Sequence, residues 1–140
     1  MNIITKVHHF TTQGHTSIIN LTDQIQSHLI GTGLVEGQVS IFGIGSTTGI
    51  TTIEYEPGLV DHDISEMFEK ISPYTQNYVH NQTWGDDNGA AHLRSFLTGT
   101  HLVCPFVGSR LMLGTWQQIV FVDYDTRPRE RKVVIQCMGN

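Results

Sequence analysis

Charge is scarce in this sequence. Asp, Glu, Lys and Arg make up 15% of its 140 residues, against about a quarter in an average soluble domain. Basic residues are the scarcer sign, 8 against 13 acids, for a net charge of -5. No lysine-rich run breaks that balance, which argues against a nucleic-acid backbone as the main ligand. The one basic cluster, RPRERK at 127–132, is interrupted by Glu130. Cysteine is rare: Cys104 and Cys137 stand alone in apolar runs, with no CxxC and no zinc-knuckle spacing. Two buried thiols in a reducing compartment fit this better than a disulfide. The N-terminal MNIITKVHHF lacks the basic stretch and apolar core of a signal peptide. No apolar run approaches the length of a membrane span, so neither a membrane nor a secreted setting is expected. These features point to a cytoplasmic protein. So little charge leaves a surface of Thr, Ser, Gln, Asn and His, or one partly hidden between copies. The second option is favoured, because hidden surface does not need charge.

What is present suits one compact domain over residues 1–140. Residues 3–12 are β-branched and loosely alternating, which predicts a strand. NLTDQIQSHLIGTG predicts a helix capped by Asn20 or Thr22 and ended by Gly31 and Gly33. GQVSIFGIG and GITTIEY read as strands around GIGSTTG. HDISEMFEKISP reads as a second helix, with Ile64, Met67, Phe68 and Ile71 on one face and Asp61 as its cap. After a polar stretch from 74 to 88, NGAAHLRSFLTG gives a short third helix ended by Gly99. Four further strands follow, HLVCPFV, RLMLG, QQIVFVDYD and KVVIQCMG. Strands succeed one another without a helix between each pair. The expected class is therefore α+β, with a mainly antiparallel sheet or sandwich and two or three short helices.

The chemistry-bearing residues fall in several separate segments. Asp86, Asp87 and Asn88 precede the third helix, where one acceptor suffices to cap free amides. That leaves His80 and His92 to explain. They could be surface histidines, or with Asp86 or Asp87 they could form a metal or acid–base set. The helix start is also suited to an anion, with Arg94 and Ser95 close in sequence. Asp61, His62 and Asp63 open the second helix, and Glu54 shares a strand face with Thr52. GIGSTTG lacks the lysine and following helix of a phosphate loop, so a hairpin connection is expected there. Ser46, Thr47 and Thr48 could still cradle an anion. Trp116 reads as core or interface, with Gln117 on the opposite face of a strand. Arg127, Arg129 and Arg131 read as a solvated turn or as forks for phosphate.

GSTTGITTIEYEPGLVDHD, NYVHNQTWGDDNGAAHLRSFLTGT, GTWQQIVFVDYD and RKVVIQC together resemble the YjbQ family, in the same order and at similar spacing. The resemblance covers most of the chain from about Gly37 to the end. It implies a small α+β protein with a jelly-roll-like sandwich that assembles as a homotrimer. It also implies a secondary thiamine-phosphate synthase activity, which joins a pyrimidine methyl diphosphate to a thiazole phosphate and releases diphosphate. Carried over residue by residue, it assigns catalytic roles to Glu54, His62, His80, Asp87, His92 and Gln117. His80, His92 and Asp87 would hold a divalent metal, magnesium or zinc, with no organic cofactor. Ser46, Thr47, Asn88 and Arg131 would receive phosphate. Many relatives carry a His where this chain has Gly45, so one ligand or base is missing. The alternative is a non-catalytic trimeric protein that binds a metabolite or a metal.

Overall fold

A computed structural model describes residues 1–140. The chain runs β1 (Asn2–Thr12), β2 (Ser17–Asn20), α1 (Thr22–Thr32), β3 (Glu36–Ile44) and β4 (Thr48–Glu54). A π-helical turn, Leu59–Asp63, leads into α2 (Ile64–Ile71), followed by α3 (Val79–Trp84) and α4 (Gly89–Thr98). Four strands complete it: β5 (His101–Val107), β6 (Arg110–Leu111), β7 (Gln117–Asp123) and β8 (Arg129–Gly139). Every strand pair is antiparallel. Five strands form one sheet in the order β1-β8-β3-β5-β6, and three form another in the order β2-β7-β4. The expected α+β architecture is present. The helices number four rather than two or three, because α3 lies inside the polar stretch.

The two sheets pack face to face over the main core. Val39, Ile41, Phe106, Val133 and Ile135 from the larger sheet meet Ile50, Ile119 and Phe121 from the smaller. Leu21, Ile25 and Leu29 of α1 close the same core. The other face of the smaller sheet packs Ile18, Val120 and Val122 against Phe68 and Ala91 of α2 and α4. β7 is thus buried on both faces, which explains its unbroken IVFV run. Cys104 and Cys137 are free and buried. Each pairs with Val39, one on either side of β3. Two strand spacings of about 4.8 Å separate them, beyond the reach of a disulfide.

Two connections differ from expectation. GIGSTTG does not close a hairpin: β3 belongs to the larger sheet and β4 to the smaller. The segment carries the chain from one layer to the other. Asp61 caps nothing and is exposed within the π-helical turn; the Glu56 carboxylate accepts the Gly58 and Leu59 amides instead. Of the four apolar residues expected to share the buried face of α2, Phe68 is buried, while Met67 and Ile71 are largely exposed. Gly31 lies within α1, and Gly33, in the left-handed conformation, ends it.

Candidate functional site

α3 and α4 meet at a polar corner. Gly85, left-handed, ends α3, and Asn81 accepts the Gly89 amide at the start of α4. This corner sets His80 against His92, with ring centroids 4.4 Å apart and planes tilted by 46°. His92 Nδ1 lies 3.1 Å from the Ser46 carbonyl. A carbonyl only accepts, so Nδ1 carries the proton and the neutral ring keeps Nε2 as its free lone pair. His80 Nδ1 lies 3.3 Å from Asp86 Oδ1. The angle misses that of a hydrogen bond, so this buried nitrogen has an electrostatic neighbour and no hydrogen-bond partner.

The expected metal set does not assemble within the chain. Asp87 turns away and accepts from Thr126 Oγ1 at 2.7 Å; Asp86 is the carboxylate beside His80. No three His, Cys, Asp or Glu side chains converge on a point that would hold a metal ion.

Beside the histidines runs a buried ion network. Asp123 and Asp125, at the end of β7 and just beyond it, are almost wholly inaccessible. Arg131 Nε and Nη2 donate to the two Asp123 oxygens at 2.7 and 2.8 Å. Nη2 also donates to Thr47 Oγ1 at 2.9 Å, and Thr47 in turn donates to Asp125. Thr12 donates to Asp123, and Arg129 Nε to Asp125 at 3.0 Å. In either orientation of its amide Asn88 donates to a carboxylate: Asp125 at 3.5 Å or both Asp86 oxygens at 3.3 Å. Burial pushes the Asp125 carboxyl up, but the Thr126 amide, Arg129 and Asn88 outweigh it and hold the group below its usual value.

Thr47, Asn88 and Arg131, expected to receive phosphate, are thus largely engaged within the chain. Ser46 remains exposed. The third guanidinium nitrogen of Arg131, Nη1, makes no hydrogen bond to the protein; it faces Gly45, 3.3 Å from where a side chain there would begin. Arg94 and Ser95 are not available to an anion either. Ser95 donates to the Thr48 carbonyl. Arg94 is fully buried, donating to the Ser72 carbonyl, Thr16 and Glu69, with its guanidinium 3.9 Å from the Tyr74 ring centroid. Burial pushes the neighbouring Tyr124 hydroxyl up to about 12.

Glu54 and Gln117 lie elsewhere. They pair across β4 and β7 at the opposite end of the smaller sheet from Thr48 and Asp123. Six residue steps at about 3.3 Å put roughly 20 Å between the two ends. Gln117 donates to Thr52 Oγ1 at 2.9 Å. His62 is exposed on the π-helical turn that follows β4. Trp116 is neither core nor in contact with another ring: it is 72% exposed and lines a groove. Asp123 and Asp125 were hidden from sequence reasoning by their place at the end of an apolar strand. The Asp-x-Asp followed by Arg-x-Arg was the available signal.

The model of the family described as "UPF0047 protein YjbQ-like" matches residues 6–140. The chain belongs to this family. A UPF0047 protein of Archaeoglobus fulgidus is 35% identical over 127 residues, 91% of this chain and 95% of that protein. UPF0047 protein YugU of Bacillus subtilis is 31% identical, covering 87% and 89%. Among solved structures, a YbjQ-like protein of unknown function from Sulfolobus solfataricus superposes with a TM-score of 0.88 at 27% identity, covering 99% of this chain and all of that one. A hypothetical protein from Aeropyrum pernix gives 0.85 at 31% identity, covering 96% and 99%. The UPF0047 members so described carry no named activity. The family relation therefore extends the fold, and the site's chemistry rests on its own geometry. No helix of this UPF0047 chain is long and apolar enough to cross a membrane.

Proposed function

We propose that this UPF0047 protein is an enzyme acting on a phosphorylated small molecule at the α3–α4 corner. The observation that carries the reading is that His92 and Arg131 flank the same segment, Gly45–Thr47. The imidazole offers a free Nε2 and the guanidinium a free Nη1. A phosphate at Ser46 would meet the Arg131 nitrogen and the Ser46 hydroxyl while the rest of the ligand lies against the histidine pair. Neutral His92 offers Nε2 as an acceptor toward that ligand, and His80 stands beside the Asp86 carboxylate. Arg131 is kept rigid by Asp123, so its orientation costs nothing when ligand arrives.

The named candidate within this class is thiamine-phosphate synthesis. There a thiazole ring nitrogen displaces diphosphate from a pyrimidine methyl carbon, forming one C–N bond and breaking one C–O bond. No step is assigned to a metal, and metal analysis of the purified protein tests the expected magnesium or zinc separately. Glu54, His62 and Gln117 join this site only across a subunit boundary, as the proposed homotrimer would allow. A second reading is a non-catalytic trimeric binding protein. The apolar side chains left exposed on α4, Leu93, Phe96 and Leu97, favour burial between copies.

The test is diphosphate release from the two substrates, compared between the native protein and His92→Ala. The enzyme reading expects turnover that falls about a hundredfold in the variant, with assembly state and unfolding midpoint unchanged. Binding of both substrates without turnover in the native protein would leave the second reading standing.

A further inference from the structure

An open groove lies away from the histidine corner, at the Glu54–Gln117 end of the smaller sheet. It has a volume of about 480 Å³ and is lined by Glu54, Glu56, Tyr55 and Trp116, with the Asn20 and Gln118 amides at its side. Three features set its chemistry. The first is charge: both charged groups in the lining are carboxylates, and neither forms an ion pair within the chain. The second is aromatic surface. Trp116 is 72% exposed and Tyr55 41% exposed, both line the groove, and neither stacks on another ring. The third is rigidity. Tyr55 is pinned by its hydroxyl to the Ile18 carbonyl at 3.2 Å; Asn20 donates to Gln118 at 3.0 Å and accepts from the Thr22 amide, and Gln118 donates to the Gln117 carbonyl, so both amides are engaged. The Glu56 carboxylate is fixed by the Gly58 and Leu59 amides, which also hold its pKa below the usual carboxylate value and keep it ionised. Glu54 stands free on the last residue of β4.

From this combination we infer that the groove binds a small organic cation of the substituted-ammonium type, held against Trp116 and Tyr55 with Glu54 as its counter-charge. A quaternary ammonium needs no hydrogen-bond acceptor. It gains from an aromatic face and a nearby carboxylate, and the groove presents both while its amides are already paired. Anions are excluded by the two carboxylates. A neutral apolar group would forgo the charge term and leave Glu54 facing a desolvated surface. Within one chain the groove lies roughly 20 Å from the histidine corner, and choline binding is read without turnover, so failure of this inference and failure of the proposed activity are told apart.

The test uses choline and its neutral isostere 3,3-dimethylbutan-1-ol, which differ in one charge at equal shape. Trp84→Phe, which alters a side chain that is 75% exposed, leaves Trp116 as the sole tryptophan reporter. Choline is expected to give a saturable fluorescence change, with the isostere at least about tenfold weaker. Adding Glu54→Gln should weaken choline severalfold, and calorimetry on Trp116→Leu should show the same loss. His92→Ala should leave choline binding unchanged. Equal binding of choline and the isostere would make the groove an apolar slot and overturn the inference. So would no response to either, which is also the result if a second copy already covers Trp116. Unaltered choline affinity in Glu54→Gln would remove the counter-charge and overturn it as well.

Discussion

Replacing Arg94 by Met separates two accounts of what holds α4, and with it His92, in place. Arg94 is fully buried but Glu69, its ion-pair partner, is 43% exposed. If the ion pair dominated, either partner's loss would cost alike. The geometry argues otherwise. The guanidinium donates twice to the Ser72 carbonyl, at 3.0 and 2.7 Å, and lies 3.9 Å from the Tyr74 ring centroid. Orphaning a buried carbonyl costs about 1–3 kcal/mol, and a desolvated cation–π contact about 2 kcal/mol. Met keeps most of the volume, so the cavity term is small. Arg94→Met should therefore cost about 3–5 kcal/mol, a large part of a total stability of about 5–15 kcal/mol. Glu69→Gln removes a solvent-screened charge and should cost under about 1 kcal/mol. Urea unfolding at fixed protein concentration reads both. Equal losses in the two variants, or a loss below about 1 kcal/mol in Arg94→Met, would refute the reasoning.

Other outcomes follow from the buried network and the thiols. Asp123→Ala leaves Arg131 without its two carboxylate contacts and should cost about 3–5 kcal/mol by urea unfolding; a loss under about 1 kcal/mol would mean that water replaces the carboxylate. The folded Asp125 carboxyl is held below its unfolded value, so its contribution is present above about pH 4 and lost as pH falls through the folded pKa. Arg129→Gln removes one cause of that depression, so acid unfolding should begin at higher pH than in the native protein, read by circular dichroism. Burial pushes both cysteine thiols up, so neither should react with a thiol reagent at pH 8 until the chain unfolds, when both should. Gly45→Ala introduces a side chain 3.3 Å from Arg131 Nη1 at a φ of +155°; it should weaken phosphate binding severalfold in a competition assay.

The elements with strong period were legible. α1, α4 and the long strands carry their patterns in apolar spacing, and Gly33 and Gly99 mark helix ends. α3 was not legible, because all of VHNQTW but Gln82 are residues of low helix propensity. Tertiary contacts make it: Asn81 ties it to α4, and Gly85 stops it. GIGSTTG read as a hairpin because its glycines look alike whether the next strand joins the same sheet or the facing one. The histidine pair was legible as two residues twelve apart, but that Asp86 rather than Asp87 faces His80 was not. That choice depends on which of two adjacent carboxylates the turn points inward. The burial of Arg94 was equally hidden, since its anchors, Thr16 and Ser72, lie far from it in sequence. The separation of Glu54 and Gln117 from the histidines is set by strand direction, which a motif list does not contain.

The position of β8 has a consequence for how the chain is made. β1 pairs with β8 alone, and β8, the last strand to be synthesised, lies between β1 and β3. Translation at about 5–20 residues per second takes roughly 7–30 s for a chain of this length. Through nearly all of that time β1 emerges as an unpaired strand bearing the exposed Ile3 and Val7. The larger sheet cannot close until residue 139 has left the ribosome. A nascent chain stalled before β8 therefore presents two open strand edges, those of β1 and β3, to any chaperone or neighbouring chain within reach. The arrival of β8, rather than local folding, times the completion of the larger sheet.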